Sequence, residues 1–329
     1  MQTQTVPAGG GSETIPLLVI VGPTASGKTR LSIDLARQFG GEIVSADSMQ
    51  IYRKMSVGTA KPTPEEMGEI PHHLIDFVEP GERFSVAEYV ELARKVIGEI
   101  HARGNLPIVV GGTGLYISSL IDNVEFAETG SSLEIRQKYQ DMAAREGNAA
   151  VLEKLREVDP ETAASLHENN IGRVIRALEL YELTGIPMSR HKQLSRQHPS
   201  PYRLCCLALD YRSRQTLYDR INQRVSLMVE HGLLDEVREL VRSGYSATAA
   251  QAIGYKELIP WLEGEAPLED CLERIRMQSR RYAKRQLTWF RRDPRIHWFY
   301  PDDYPDYGEL YKNIVDYIEK SALLCYTKS

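Results

Sequence analysis

Short apolar runs that alternate with helix-period patterns predict an α/β fold for the first part of the chain. Residues 17–21 and 106–110 are continuous apolar runs of the length expected for strands buried on both faces of a sheet. A further short strand is expected at residues 42–46. Ser85 and Glu88 form a capping-box pattern that predicts the start of an amphipathic helix. Strands separated by helices predict a parallel sheet, whose ligands bind at the carboxyl ends of the strands.

The periodic pattern changes after residue 123. Residues 124–200 show helical spacing of apolar positions and no convincing strand. The apolar run 205–209 returns to strand character, long amphipathic patterns fill most of 213–290, and a last helix is expected at 307–323. We therefore predict a mobile lead-in at 1–15, an α/β core formed by 16–123 and 201–329, and an inserted helical subdomain at 124–200.

The overall composition excludes several classes of protein. The 329 residues are 42% hydrophobic and 26% charged, which is ordinary for a globular protein. No apolar run reaches the roughly 18 residues that a membrane span needs, and the N-terminus lacks a secretory-signal pattern. The four cysteines show neither a disulfide framework nor zinc-site spacing. We expect a cytoplasmic monomer that does not enter a membrane.

The net charge of −5 conceals one strongly basic segment. Residues 274–292 contain eight Lys or Arg and no acid. On a helix, the basic positions 274, 281, 285 and 292 share one face with aromatic residues among them, a combination suited to nucleic-acid phosphates and stacked bases. A solvated basic helix that packs by its apolar side is the alternative. The eight basic residues are Arg274, Arg276, Arg280, Arg281, Lys284, Arg285, Arg291 and Arg292.

The sequence GPTASGKT at 22–29 matches the phosphate-binding pattern G-x-x-x-x-G-K-[ST]. In such a loop, backbone N–H groups and the following helix attract phosphate oxygens, and Lys28 neutralises their charge. Thr29 can bind Mg²⁺, the cofactor that we expect. The fold class predicted is therefore α/β, with a P-loop NTPase-like parallel-sheet core and an inserted helical subdomain. The candidate phosphate-binding residues are Gly22, Pro23, Thr24, Ala25, Ser26, Gly27, Lys28 and Thr29.

Asp47 follows the second strand and is the candidate for acid–base chemistry beside the loop. It could contact a metal, act as a general base on an acceptor, or cap a turn. A nucleoside or small-molecule kinase is the alternative function, with ATP at the loop, but such enzymes usually carry a metal-binding acid at the end of an apolar strand. Here the strand 106–110 ends in glycines and Thr113. Arg220 and Arg224 share a helix face and either reach an anionic ligand or pair with neighbouring acids.

Several blocks of this sequence resemble the tRNA dimethylallyltransferases. They include GPTASGKT at 22–29, SADSMQIYRKMSVGTAKP at 45–62, IVVGGTGLY at 108–116, QAIGYKEL at 251–258 and YAKRQLTWFRRD at 282–293. The resemblance covers about residues 20 to 293, and its combination of motifs is much more specific than the phosphate loop alone. It implies transfer of a dimethylallyl group from dimethylallyl diphosphate to N6 of the adenosine on the 3′ side of the anticodon.

The resemblance also implies roles for individual residues. Asp47 would be the general base, and Thr24 would lie near the reacting carbon and the bridging oxygen. Arg220 and Arg224 would join the phosphate loop in binding the diphosphate. The anticodon stem-loop of tRNA would be the partner. Its implied contacts, together with those expected of the basic helix, are Asp47, Ser48, Met49, Gln50, Thr113, Arg136, Gly172, Arg173, Arg176, Gln251, Gly254, Tyr255, Lys256, Arg281, Lys284 and Arg285.

Overall fold

The computed structural model describes residues 14–126, 130–195, 198–246, 248–321 and 323. The chain divides into two compact units. One contains the described residues up to Ile121 and those from Pro201 onward, and the other is the segment Asp122–Ser200. This division differs by two residues from the expected start of the insertion at 124. Of the expected lead-in, residues 1–13 lie outside the described range, and Ile15 is not part of a lead-in because it begins the first strand.

The first unit is built on one six-stranded sheet in which every pair of neighbours is parallel. Its strand order is β3-β2-β4-β1-β5-β6. The predicted α/β class and parallel sheet are confirmed, whereas β3 and β6 are strands that the sequence patterns did not predict. The strands are β1 Ile15–Val21, β2 Gly41–Ser45, β3 His72–His73, β4 Leu106–Val110, β5 Tyr202–Leu209 and β6 Ile296–Phe299.

The apolar run in β1 packs on both faces of the sheet. Leu17, Val19 and Val21 belong to one buried cluster, and Leu18 and Ile20 belong to another. Successive strand residues point to opposite faces, so a strand covered on both sides needs an apolar residue at every position. Burial on both faces explains why β1 is an uninterrupted apolar run. The phosphate-binding motif follows directly at the carboxyl end of this strand.

The helices before the insertion connect these strands. The helix that starts after Ser85 has the predicted capping box, because the Ser85 hydroxyl accepts from Glu88 N and the Glu88 carboxylate accepts from Ser85 N at 2.8 Å. The helices are α1 Lys28–Phe39, α2 Pro64–Met67, α3 Val86–Ala102 and α4 Gly114–Ile121.

The second unit is helical across its described residues. Val151, Leu155, Val174 and Leu178 are at most 2% exposed and form its apolar centre. The helices are α5 Leu133–Glu146, α6 Asn148–Val158, α7 Pro160–Ser165, α8 Ile171–Thr184 and α9 Met188–Leu194.

The remaining helices return to the first unit. The longest of them, Leu268–Phe290 (α13), buries Cys271, Ile275, Ala283 and Leu287 along one side. Its basic residues therefore lie mostly on the opposite side. The expected C-terminal helix ends three residues before the predicted position 323. The helices are α10 Arg214–Glu230, α11 Leu233–Ser243, α12 Ile259–Leu262, α13 Leu268–Phe290 and α14 Tyr307–Lys320.

Candidate active site

The phosphate-binding motif forms the turn between β1 and α1. Helix α1 begins at Lys28, and its N-cap residue Gly27 supplies no side-chain acceptor for the first backbone N–H groups. Ala25 adopts a left-handed conformation with φ of 63°, which is unusual for a residue with a side chain. Free N–H groups at the positive end of a helix dipole attract anions. The loop is therefore arranged to bind phosphate.

Lys28 is directed into the loop, where burial lowers its pKa. Its Nζ donates a hydrogen bond to the carbonyl oxygen of Pro23 at 2.7 Å. Burial and, to a smaller extent, the nearby Arg224 guanidinium lower the pKa of Lys28 and Asp47 opposes both effects, with a net pKa of about 7. A bound anion at this position would restore the positive charge, because it supplies the attraction that burial removes.

Both arginines of the α10 pair reach the phosphate loop or the cavity beside it. Arg220 Nε donates to the carbonyl oxygen of Ala25 at 3.0 Å. Arg224 lines the cavity, its NH2 group lies 3.5 Å from the carbonyl oxygen of Thr59, and burial lowers its pKa. Neither guanidinium has a carboxylate at ion-pair distance among the described residues. Of the two roles expected for this pair, ion pairing with neighbouring acids is therefore not seen in the described part of the chain, and binding of an anionic ligand stays a prediction.

Asp47 caps the turn after β2, which is one of the three roles that its sequence position allowed, and its roles as a general base or a metal contact stay predictions. It lies just beyond β2, and its Oδ1 accepts hydrogen bonds from Met49 N at 2.8 Å and Gln50 N at 3.3 Å. Its Oδ2 has no hydrogen-bond partner among the described residues, and the side chain lines the same cavity as Lys28 and Thr24. The capped oxygen fixes the direction of the carboxylate, which leaves the second oxygen available to accept a proton.

Thr113 holds the neighbouring part of this turn. Its Oγ1 accepts from Ser48 N at 2.9 Å and bonds the Ser48 hydroxyl at 3.2 Å. The carboxyl ends of β2 and β4 are thereby tied together at the edge where the phosphate loop emerges. The predicted residues Asp47, Ser48, Met49 and Gln50 all line the cavity.

The end of β4 has no room for the acid that a kinase would need. A Cβ at Gly111 would overlap the carbonyl oxygen of Ala46, because the ends of β2 and β4 approach closely there. Asp210, at the end of β5, is fully buried and pairs with Arg291 at 3.0 Å, and it does not line the cavity. No group of His, Cys, Asp or Glu side chains in the described ranges forms a metal site by itself.

These residues surround a cavity of about 380 Å³ within the first unit. Part of its wall is polar and includes residues of the phosphate loop, Asp47 and Arg224. Another part is apolar and comes from α10, α13 and the segment before α12. The apolar lining residues are Ile221, Val225, Met228, Ala252, Ile253 and Ile275. The cavity therefore suits a ligand with both an anionic and an apolar end.

Gln286 is a residue of this site that sequence reasoning missed. Its side chain is 5% exposed, accepts from Thr24 N at 2.9 Å and donates to the carbonyl oxygen of Gly112 at 3.0 Å. It joins the phosphate loop to the turn after β4. The available signal was a neutral Gln within the basic segment 274–292, at a position that falls on the buried side of the helix.

The predicted contacts in residues 251–256 divide into two groups. Gln251 and Lys256 line the cavity. Gly254 N instead donates to Glu257 Oε2 at 2.9 Å, and Tyr255 is only 3% exposed, with its hydroxyl 2.7 Å from Glu236 Oε1. The Tyr255 side chain therefore packs in the core and stabilises this segment, instead of being exposed as a contact residue.

Fewer cations of the basic segment 274–292 are free of acidic partners among the described residues than its residue count suggested. Three of its cations are paired with acids: Arg276 with Glu269, Arg280 with Glu273, and Arg291 with Asp210. The exposed residues Arg281, Lys284 and Arg285 have no acidic partner in the described part of the chain, and Trp289 beside them is 39% exposed. Arg285 also lines the cavity. Arg281 and Arg285 belong to the face that the helical spacing predicted, whereas Lys284 does not. Arg274 and Arg292, the other two residues of that face, are also exposed and have no acidic partner among the described residues.

The predicted residues of the second unit lie on α5 and α8. Arg136 Nε and Arg176 NH1 both donate to the fully buried Glu179 carboxylate, at 2.8 and 2.6 Å. Gly172 and Arg173 are exposed at the start of α8. The structure thus brings Arg136 and Arg176 together across 40 positions of sequence.

Comparisons with known proteins match most of this chain to one family of enzymes. A family model described as IPP transferase matches residues 50–293, and one described as isopentenyl transferase matches residues 15–78. A tRNA dimethylallyltransferase of Thermoanaerobacter sp. (strain X514) is 52% identical over 92% of this chain and 98% of its own length. The tRNA dimethylallyltransferase of Geobacillus thermodenitrificans is 48% identical over 93% and 96%.

Solved structures give the same result. The tRNA isopentenylpyrophosphate transferase of Bacillus halodurans superposes with a TM-score of 0.70 at 44% identity, covering 94% of this chain and 97% of that one. A eukaryotic dimethylallyltransferase acting on tRNA superposes with a TM-score of 0.78 at 30% identity, covering 94% and 80%. Because the family models and these relatives span the phosphate loop, Asp47 and the basic helix together, the chain belongs to the IPP transferase family.

Proposed function

We propose that this protein is a tRNA dimethylallyltransferase. It transfers a dimethylallyl group from dimethylallyl diphosphate to N6 of the adenosine on the 3′ side of the anticodon. The products are N6-isopentenyladenosine and diphosphate. The observation that carries the proposal is the single cavity in which Lys28 and Arg224, an apolar wall and the Asp47 carboxylate meet.

The donor fits this cavity in both of its chemical parts. The diphosphate binds to the N–H groups at the start of α1, to Lys28 and to the arginines of α10. The five-carbon chain lies against the apolar wall, which excludes water from the allylic carbon. The breaking bond joins that carbon to the bridging oxygen, so the negative charge that develops on diphosphate is met by cations already in place.

The acceptor amine is activated by Asp47. An exocyclic adenine amine is a weak nucleophile, and it gains when a positioned carboxylate removes its proton during attack on the allylic carbon. The new bond joins N6 to that carbon, the proton passes to Asp47 Oδ2, and diphosphate leaves. Thr24 lines the same cavity and is held by Gln286 through its backbone. Its proposed place is near the reacting carbon and the bridging oxygen.

Mg²⁺ is part of the proposal. The loop fits this ion because P-loop sites bind it through one hydroxyl and the phosphates of the ligand, with no carboxylate cluster required. Thr29, at the cavity edge, would hold it. When bound, the ion stabilises negative charge on the departing diphosphate.

The anticodon stem-loop of tRNA is the proposed macromolecular partner. Exposed Arg281, Lys284 and Arg285, which have no acidic partner among the described residues, supply positive charge for its phosphates, and Trp289 supplies an aromatic face. Arg136, Gly172, Arg173 and Arg176 of the helical unit are the proposed additional contacts. The target base must leave the anticodon stack to reach an enclosed site. No described helix is both long and apolar enough to span a membrane, and a monomeric, cytoplasmic enzyme stays our expectation.

A labelled-donor assay tests the function directly. The protein is incubated with radiolabelled dimethylallyl diphosphate, Mg²⁺ and unmodified tRNA, and ATP hydrolysis is measured in parallel. We expect label in the tRNA fraction and no ATP hydrolysis above background. ATP turnover without label transfer would instead favour the kinase, an alternative that neither the relatives nor the glycine end of β4 supports.

A further inference from the structure

The loop 56–60, which contributes residues to the cavity, is held by the carboxylate of Glu236. Glu236, on α11, accepts hydrogen bonds from three consecutive backbone N–H groups: Ser56 at 2.8 Å, Val57 at 2.8 Å and Gly58 at 2.9 Å. The Tyr255 hydroxyl donates to the same carboxylate at 2.7 Å. Four donors therefore converge on one anionic side chain.

The arrangement requires the chemistry of a carboxylate. Successive N–H groups that point to one place form a small anion-binding nest. A carboxylate only accepts hydrogen bonds, so both of its oxygens can serve these donors, whereas an amide of the same shape would direct an NH₂ group at some of them. The fit is also close, because a Cβ at Gly58 would lie 2.6 Å from the Tyr255 ring.

The opposite side of the same loop holds residues of the cavity. The carbonyl oxygens of Thr59 and Ala60 accept from Gln50 Nε2 at 3.2 and 3.1 Å. The Thr59 oxygen also receives Arg224 NH2 at 3.5 Å. Gln50, Arg224 and the loop residues 58–60 all line the cavity. The loop thus joins Glu236 to two side chains that face the ligand.

We propose that Glu236 is a positioning residue of this enzyme. It fixes the loop 56–60, and the loop carbonyls in turn orient Gln50 and Arg224 toward the bound substrates. The identity of those substrates rests on the proposed function. Glu236 itself does not line the cavity, so it acts only through the loop.

The test compares Glu236→Gln with a matched variant of the same helix. Glu239→Gln is the control, because Glu239 is 71% exposed in its side chain and only reaches Lys54 at 4.0 Å. Hydrogen exchange of the peptide covering 50–62 is measured in the full-length protein. Kinetics with dimethylallyl diphosphate and tRNA are measured in parallel. Glu236→Asp, which keeps the charge, is included to look for rescue.

Loss of the nest has a specific expected signature. In Glu236→Gln, exchange in 50–62 rises about tenfold, because the amide leaves N–H groups without acceptors. The KM for dimethylallyl diphosphate rises about tenfold while kcat changes by less than about threefold, since a misplaced Arg224 weakens ground-state binding. Glu236→Asp recovers part of both effects, and Glu239→Gln shows neither.

Other results would overturn the inference. If Glu236→Gln lowers the melting temperature but leaves KM and local exchange as in the wild type, Glu236 only stabilises the fold. If it does not fold, Tyr255→Phe removes one donor from the same carboxylate, and unchanged exchange in 50–62 would count against the nest. If the wild-type protein transfers no label, the proposed function is contradicted. The exchange measurement still tests the role of Glu236 in holding the loop.

Discussion

Gln286 Oε1 accepts a hydrogen bond from the backbone N–H of Thr24 at 2.9 Å, across 262 positions of sequence. The same side chain donates to the carbonyl oxygen of Gly112. The helix that presents cations to the solvent on one side therefore holds the phosphate loop on its other side. This contact fixes the loop before any ligand binds.

Replacing Gln286 by Leu should weaken both folding and donor binding. The buried Gly112 carbonyl and the partly buried Thr24 N–H lose their partner, which costs about 2 to 4 kcal/mol of unfolding free energy. Urea denaturation measures the loss, and the KM for dimethylallyl diphosphate should rise at the same time. Gln286→Glu, which keeps the acceptor for Thr24 but places a carboxylate against the Gly112 carbonyl, should bind donor better than the Leu variant. Equal KM values for Gln286→Leu and wild type would mean that the contact serves stability alone.

Asp47→Asn should remove the proposed general base and keep the cap of the turn. The amide oxygen can still accept from Met49 N and Gln50 N, so the turn should persist. The transfer rate should fall by about 100- to 10,000-fold because the proton acceptor is lost. Single-turnover transfer measures this fall, and tRNA affinity should change by less than about threefold. Turnover close to that of the wild type would remove Asp47 as the base.

The donor affinity should depend on pH through Lys28. Its pKa is lowered to about 7 in the free protein, so its positive charge is present below pH 7 and is lost as the pH rises above it. A bound diphosphate stabilises the charged form, and the Kd should therefore increase by as much as about tenfold per pH unit above 7. Titration calorimetry between pH 7 and 9 measures this dependence. Lys28→Ala should bind more weakly and show a flat profile, so an equally steep profile in that variant would assign the dependence to another group.

The salt dependence of tRNA binding should locate the contact face of α13. Replacing Arg281 and Arg285 by Gln should weaken binding and reduce the slope of log K against log salt by about 1 to 2. The matched control is the double variant Arg276→Gln, Arg280→Gln, whose guanidinium groups are already paired with Glu269 and Glu273. Filter binding at several salt concentrations measures both. A loss of slope in the control pair alone would place the RNA elsewhere on the helix.

Glu42 should make the protein sensitive to acid. Burial of this carboxyl favours its neutral form, but hydrogen bonds from Arg103, Asn105 and His73 outweigh that effect and hold the pKa at about 2. A folded-state pKa below the unfolded value contributes stability that is present above pH 5 and disappears as the pH falls toward 2, in total about 3 kcal/mol. Chemical denaturation at pH 3 and pH 7 should show this difference for the wild type. Glu42→Gln should be less stable at neutral pH and should lose little more on acidification.

The local parts of the site could be predicted because they are continuous in sequence. The loop 22–29, Asp47 after β2, and the cationic face of α13 each depend on a motif or on helical spacing. Gln286 and Glu236 could not be found in this way, and Tyr255 was expected to contact tRNA rather than to pack in the core, because these roles depend on partners that are 19 to 262 positions away. Strand β3 was missed for a different reason: it consists only of His72–His73, and two residues are too few to show a periodic pattern.

The sequence by itself determined the phosphate loop, the parallel α/β core, the helical insertion and the membership of a family of tRNA-modifying enzymes. Apolar periodicity and contiguous motifs carry that information, since both act over a few neighbouring residues. Tertiary structure alone decided which charges are free. It paired Arg276, Arg280 and Arg291 with acids, left Arg281, Lys284 and Arg285 without an acidic partner among the described residues, and placed Asp47 at the cavity with one oxygen bound to backbone N–H groups. Pairing and direction depend on distances between remote segments, and only the folded chain sets those distances.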